Sequence, residues 1–317
     1  MGINFIKYRK FYYIFSGILI ILSVVALIFW GLKPGIEFTG GSIMELEYKD
    51  QRPSNEQIIE KIKDLDLGDI SIQPTGENGV IVRMKDISEE IHKEIISALS
   101  QEVTLVPKEG GKPDEMEMKI NMIEIEEKRF EAIGPVIGQE LKQKTAWAAT
   151  LSLIAMIAYI AFAFRRVTRP VSSWMYGIIS FIALCHDIII PLGVFAVLGR
   201  FYGIEITIPV ITALLAVLGS SINNTVVVFD RIRENLLKRG ETFEDTANNG
   251  MNQTLSRQIN TSLAILFTVA AIYFFGGATL KYFSLALILG VLSGTYSSFF
   301  IASPLLVTWQ RYRQKRI

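Results

Sequence analysis

The chain has 317 residues, of which 50% are hydrophobic and 20% charged, with a formal net charge of +1. Its mean hydropathy is +0.35. The charge is segregated: residues 33–142 hold 14 basic and 24 acidic side chains, the rest 18 basic and 7 acidic. One acidic, water-loving block therefore interrupts an apolar chain with basic punctuation, which is the pattern of membrane spans around an exposed domain. It excludes an ordinary soluble enzyme, a disordered tail and a nucleic-acid binder with a basic face. Cys185 is the only cysteine, which excludes an intrachain disulfide and a cysteine-rich zinc site.

Residues 1–10 are a short basic N-terminus, with Lys7, Arg9 and Lys10 just before the first apolar run. That run, Phe11–Leu32, is too long for the apolar part of a signal peptide and has no small-x-small cleavage site behind it, so it is expected to remain as an anchor. Residues 33–143 form the exposed domain. Ser42–Tyr48 alternates as a strand, and Ser54 can cap a helix bearing Ile58, Ile59 and Ile62. Ile70–Gln73 and Val80–Met84 read as strands joined by a turn at Gly76–Gly79. Ser88 can cap a second helix with Ile91, Ile95, Ile96 and Leu99, which leaves His92 on the polar side as a solvated residue. Lys108–Glu117 is a loop by composition, and Lys119–Ile125 alternates as a fourth strand. The order β-α-β-β-α-β predicts a ferredoxin-like α+β domain.

Five further spans are predicted at Thr145–Phe164, Ser173–Gly199, Thr207–Phe229, Ile259–Phe275 and Tyr282–Trp309, each near the ~20 residues that cross a bilayer. They make a bundle over residues 144–309, with a loop at 230–258 and a basic tail at 310–317. The fold class is thus an α-helical polytopic membrane protein, with six transmembrane helices and the external domain between spans 1 and 2. Fifteen Lys and Arg fall in the short loops and termini of one side, including Arg165, Arg166, Arg169, Lys238, Arg239, Arg257 and Arg316, against Arg200 and Lys281 on the other. This bias predicts both termini in the cytoplasm and the acidic domain outside it.

Five motifs recur in order along the chain. They are Gly35-Ile-Glu-Phe-Thr-Gly-Gly41, Phe130-Glu-Ala-Ile-Gly-Pro-Val-Ile-Gly-Gln-Glu-Leu141 and Ala183-Leu-Cys-His-Asp187. Ser221-Ile-Asn-Asn-Thr-Val-Val-Val-Phe-Asp-Arg-Ile-Arg-Glu-Asn235 and Thr254-Leu-Ser-Arg-Gln-Ile-Asn-Thr-Ser262 complete the set. Together they resemble the SecF family over nearly the whole chain. That resemblance implies a place in the RND superfamily and the bacterial plasma (inner) membrane. It also implies pairing with SecD, and proton-motive-force-driven help to unfolded preproteins leaving the SecYEG channel. It implies no enzymatic activity, no cofactor and no nucleic-acid partner. Two positions depart from the family pattern: Glu37 stands where Asp is usual, and Asn224 replaces the usual intramembrane Asp. An amide does not exchange protons near neutrality, so a proton route through this chain cannot use residue 224.

His186 and Asp187 lie mid-span, where ionisable groups are costly and face protein or water. They can be a proton-relay pair or a buried polar cluster tying helices together. Asn223, Asn224 and Thr225 form a polar step on the fourth span, level with Arg257 on the fifth, and are gating candidates. Arg257 would have to find Asp230, Asp187, a SecD carboxylate or water. Asp230, Arg231, Arg233 and Glu234 open an expected helix Arg231–Lys238 and can be a solvated face or a partner contact. Gly290-Val-Leu-Ser-Gly294 with Thr295, Ser297 and Ser298 gives the last span a small-residue face suited to close packing. Gly35, Gly40 and Gly41 suit a tight turn where the chain leaves the membrane. No catalytic constellation, metal site or nucleotide-binding loop is present in the sequence. The competing functions are a scaffold subunit without its own proton relay, marked by Asn224, and half of an RND-type small-molecule exporter.

Overall fold

The computed structural model describes residues 3–107, 116–164, 171–236 and 242–315. Arg165, Arg166, Arg169, Lys238, Arg239, Arg316 and most of the expected Lys108–Glu117 loop lie outside these. The chain divides into two compact units, Pro34–Lys144 on the one hand and Met1–Lys33 with Thr145–Ile317 on the other.

The unit Pro34–Lys144 follows α1 (Arg9–Trp30) and begins with one short turn, α2 (Ile36–Thr39). Next come β1 (Gly41–Tyr48), α3 (Asn55–Ile62), β2 (Ser71–Thr75), β3 (Gly79–Met84) and α4 (Glu89–Leu99). Ser54 closes a capping box with Gln57 at the start of α3, and Ser88 accepts the Ile91 N–H at the start of α4, so both helices begin where hydroxyls can serve orphan donors. The hairpin β4 (Gln101–Pro107) and β5 (Met116–Met122) stands apart as a two-stranded sheet. The main sheet runs β2-β3-β1-β6, all antiparallel, with β6 at Ile125–Ile133. Met44, Leu46 and Tyr48 of β1 pack with Val80 and Val82 of β3 against Ile58 and Ile62 of α3 and Ile95 and Leu99 of α4.

The fourth place in this sheet is therefore not taken by Lys119–Ile125. The apolar alternation slips phase there: Ile120 and Met122 are even, Ile123 and Ile125 odd. One strand cannot hold both sets on one face, and the chain breaks between β5 and β6, leaving Met122 exposed and Ile123 and Ile125 against the core. The same shift overturns the solvated reading of His92. Its residue is only 8% exposed; the ring stacks on Phe130 of β6 at 4.0 Å and 12°, and Nε2 lies 3.1 Å from Glu127 Oε2.

The other unit is helical. After α5 (Pro135–Ala163) come α6 (Ser173–Tyr202), α7 (Ile208–Leu236), α8 (Phe243–Phe275) and α9 (Ala278–Ser297). A π-helical turn at Ser298–Ala302 leads into α10 (Ser303–Gln314). The expected span Tyr282–Trp309 thus lies within one helical stretch, Leu280–Gln314, that carries a π-helical turn. Pro304 lacks an N–H to continue the ladder, and Ser303 Oγ donates to the Ser298 carbonyl at 2.9 Å instead. Among the described residues, five stretches are long and apolar enough to cross a membrane: Arg9–Trp30, Ser173–Tyr202, Ile208–Leu236, Phe243–Phe275 and Leu280–Gln314. α7 runs unbroken through Asp230, Arg231, Arg233 and Glu234, so no new helix starts at Arg231, and Lys238 is outside the described residues.

Small residues set the helix contacts. A Cβ on Gly290 would sit 2.3 Å from Val217 Cγ2, and one on Gly193 would sit 2.4 Å from Ser23 Cβ. α9 and α7, and α6 and α1, meet almost backbone to backbone at these points, as small-residue faces allow. Ile14, Ile18, Ile21, Ile28 and Phe29 of α1, with Phe267 and Phe274 of α8, point outward, a face that suits lipid and not water.

One pH effect follows in the Pro34–Lys144 unit. Burial pushes the Tyr48 phenol up to about 12, above its unfolded value of ~10. The neutral phenol is favoured in the fold, so its contribution is intact below pH ~10 and is lost as pH rises through the folded value. Tyr48→Phe should reduce the fall in thermal stability between pH 10 and 12 by about 2 kcal/mol, read from unfolding curves of the two chains at each pH.

Candidate functional site

Asp187 and His186 lie near the middle of α6, and their residues are 0% and 2% exposed. Pro191, four residues on, cannot donate to the Asp187 carbonyl, so the helical ladder is open at this point. Three hydroxyl donors and one imidazole nitrogen surround the carboxyl group. Ser293 Oγ donates to Oδ1 at 3.2 Å and Ser297 Oγ donates to Oδ2 at 2.8 Å, both from α9. Ser221 Oγ of α7 also donates to Oδ2. His186 Nδ1 lies 3.0 Å from Oδ1. A carboxylate offers about four acceptor positions, and here each is served by protein. Ser297 has a second acceptor, the Gly294 carbonyl at 3.2 Å, so its one proton has two places to go.

The outer part of the cluster reaches α1. The His186 ring stacks on Tyr296 with centroids 5.9 Å apart and planes at 19°. Tyr296 Oη accepts from Ser16 Oγ at 3.1 Å and donates to the Tyr12 carbonyl at 3.4 Å. His186 Nε2 is buried without a hydrogen-bond partner among the described residues. Three helices, α6, α7 and α9, thus converge on one acid, and α1 joins the cluster through Tyr296.

The other polar residues form a separate place. Asn223 and Asn224 line a cleft of about 260 Å³ between α7 and α8, with Ser220, Arg257, Gln258 and Thr261. Thr225 points the other way and is buried. Arg257 is exposed and has no ion-pair partner among the described residues. Asp187 is committed to its serines, and Asp230 pairs with Arg233 at 3.5 Å, so neither neutralises Arg257. Gln258 turns away from the cleft with its amide nitrogen, donating to Ser298 Oγ of the π turn at 2.6 Å. Arg231 pairs with Glu234 at 2.5 Å and donates to Gln253 of α8 at 2.6 Å. Of these charges, Arg231 ties α7 to α8.

Sequence reasoning singled out His186 and Asp187 but missed Ser221, and treated Ser293 and Ser297 as packing. Ser16 and Tyr296 were missed as well. The available signal was the i,i+4 spacing of Ser293 and Ser297 on one face of an otherwise apolar helix.

Comparison with known proteins identifies the family of the chain. A model of the SecD/SecF protein-export membrane family, C-terminal part, matches residues 114–312, and one of the SecD/SecF GG motif matches 25–51. The protein translocase subunit SecF of Thermobaculum terrenum is 37% identical over 320 residues, covering 97% of this chain and 94% of its own length. The chain belongs to the SecF family of protein translocase subunits. The SecF of Pseudomonas aeruginosa is 34% identical over 315 residues, covering 96% of this chain and 90% of its own. The crystal structure of SecDF from Thermus thermophilus, a translocon-associated membrane protein, superposes with a TM-score of 0.79 at 29% identity. It covers 98% of this chain but only 39% of the SecDF chain. A second SecDF structure, in a super-membrane-facing form, gives a TM-score of 0.67. SecF is a membrane-inserted transport component, and the GG motif has a steric reason here. Gly40 and Gly41 have φ of 77° and 131°, and a Cβ on Gly40 would lie 2.8 Å from Pro135 Cα.

Removing hydroxyls from the acid has a predictable cost. Ser221→Ala with Ser297→Ala strips Oδ2 of both donors. Leaving a buried acceptor without its donor costs about 1–3 kcal/mol. The double variant should unfold several degrees below the parent, whereas Ser256→Ala, on an exposed position, should leave the transition in place; thermal scans in detergent compare them.

Proposed function

We propose that this chain is the SecF half of a SecD–SecF pair that uses the proton motive force to help preproteins out of the SecYEG channel, with His186 and Asp187 carrying the proton within this subunit. The single observation behind the proton role is the buried acid with three hydroxyl donors and an imidazole nitrogen in reach. A carboxylate, an imidazole and three hydroxyls in hydrogen-bond reach can pass a proton by small rotations, and burial makes the charged state sensitive to its surroundings. The Ser297 hydroxyl, with its alternative acceptor, is one such rotor. In this reading the chain has six spans, with the stretch Thr145–Phe164 of α5 as the second, because it carries no charged side chain over a span's length. The sheet order β2-β3-β1-β6 supports a ferredoxin-like domain in which β6 is the fourth strand. Six spans and one such domain make half of a two-repeat transporter, in keeping with the 39% of the SecDF chain that is matched.

A second reading is favoured by one observation. With Asn224 where the family usually has Asp, and Arg257 exposed in the same cleft without a carboxylate, the counter-charge would come from SecD. This subunit would then be a scaffold, and the partner would carry the proton. Its membrane would be the bacterial plasma membrane, with both termini cytoplasmic, as the fifteen-to-two basic bias supports.

Preprotein release from inverted vesicles, with and without a proton gradient and at matched protein level, separates the two. Asp187→Asn should cut the gradient-dependent part of release by about a hundredfold or more, the low end of a positioned proton-transfer group's contribution. An undiminished gradient effect in the Asp187→Asn, His186→Ala chain would assign the proton to SecD and leave the scaffold reading. The orientation is tested apart from this: in a Cys185→Ser chain, Glu77→Cys should react with an impermeant thiol reagent added outside intact cells. Reaction only after membrane rupture would reverse the assigned sides.

A further inference from the structure

The N-terminal end of α1 and the C-terminal end of α10 meet at one carboxylate. Arg9 Nη1 donates to Glu244 Oε1 at 3.2 Å, and Arg311 Nη2 donates to Glu244 Oε2. One turn into the bundle, the Tyr13 and Thr308 hydroxyls are hydrogen-bonded at 2.9 Å. The chain before α1 is fixed to the same helix as Glu244: Phe5 N–H donates to Asn248 Oδ1 at 2.9 Å and Ile3 N–H to Asn252 Oδ1 at 2.8 Å. Asn252 Nδ2 returns a bond to the Ile3 carbonyl at 2.8 Å. Phe5 and Ile6 are buried in the bundle core. Glu244, Asn248 and Asn252 are spaced four apart, so one stripe of α8 holds the whole corner in place.

The corner carries six basic side chains among the described residues, Lys7, Arg9, Lys10, Arg311, Arg313 and Lys315, against the two carboxylates Glu244 and Asp245. Asp245 is engaged by its own helix cap, Thr242. Two arginines share Glu244, and Lys7, Lys10, Arg313 and Lys315 are exposed with no ion-pair partner among the described residues. At the same level Tyr8, Phe11, Trp309 and Tyr312 are exposed, and they pair one turn apart on α1 and α10. Exposed Trp and Tyr at the end of an apolar helix mark the headgroup level of a bilayer. Fixed excess positive charge at that level matches one ligand class.

We propose that the corner of α1 and α10 is a binding site for an anionic phospholipid headgroup of the inner leaflet. Lys10 and Arg313 contact the phosphodiester, the Glu244-held Arg9 and Arg311 supply fixed positive charge behind it, and the exposed aromatics flank the acyl ester level. The site rests on the membrane orientation above and is independent of whether this subunit carries protons.

The test uses the purified full-length chain in phosphatidylcholine-containing micelles, titrated with short-chain phosphatidylglycerol and followed by thermal unfolding. Phosphatidylglycerol should raise the transition saturably, equal additions of phosphatidylcholine should not, and about 0.5 M salt should abolish the rise. In the Lys10→Gln, Arg313→Gln chain the half-saturating concentration should increase roughly thirtyfold, as about two surface charges are lost. The transition of that chain in phosphatidylcholine alone should match the parent, because neither side chain holds the corner together. Equal stabilisation by phosphatidylcholine, or an unchanged titration in the double variant, would overturn the site. An equal rise from millimolar inorganic phosphate would also overturn it, since the occupant would then be a free anion and not a lipid.

Discussion

Inside an apolar bundle a carboxylate finds no solvent, so every hydrogen bond it needs has to come from neighbouring helices. Asp187 imposes this constraint on the helical unit. Its two oxygens take Ser293 and Ser297 from α9, Ser221 from α7 and the adjacent His186. Those bonds exist only if α6, α7 and α9 approach closely, and the close approach exists only because Gly290 and Gly294 present no side chain to α7. Packing and polarity are therefore one design: the glycines bring the serines to the acid, and the acid gives the serines a reason to be buried.

The irregular points of the helices cluster around the same place. Pro191 opens the ladder of α6 at the Asp187 carbonyl. The π turn begins at Ser298, the residue after Ser297, and is tied to α8 through Gln258. Helix irregularities of this kind are common at functional sites, where they re-aim side chains and supply local freedom. A hydroxyl such as Ser297 beside a π turn, with two acceptors in reach, is the sort of element that can change state without moving the bundle. The Asn224 and Arg257 cleft is the opposite case: its cation lies open on the surface between α7 and α8, available to something outside this chain. The two polar places thus differ, one closed around an acid whose oxygens are served from within the chain, the other open and incomplete.

Much of this was legible in the sequence. The apolar runs, their lengths and the acidic block between the first two follow from transfer free energy, which depends on composition along a segment and not on its neighbours. Helix starts at Ser54 and Ser88 follow from local hydrogen bonding. The identities of His186 and Asp187 as the costly pair needed only their depth in an apolar run. Tertiary structure alone decided the rest. The fourth strand at Ile125–Ile133, and with it the burial of His92 against Phe130, depends on which side of a phase slip the chain pairs with β1. Ser221, Ser293, Ser297, Ser16 and Tyr296 come from three distant stretches and acquire a role only when three helices turn particular faces to α6. A serine's hydroxyl is equally at home in a helix groove or on a partner helix, so its own segment carries no record of what it will meet. Arg257 stands out in the sequence as a cation in need of a partner, but only the fold decides that no carboxylate among the described residues supplies one, because an ion pair is a property of two positions brought together and not of either alone.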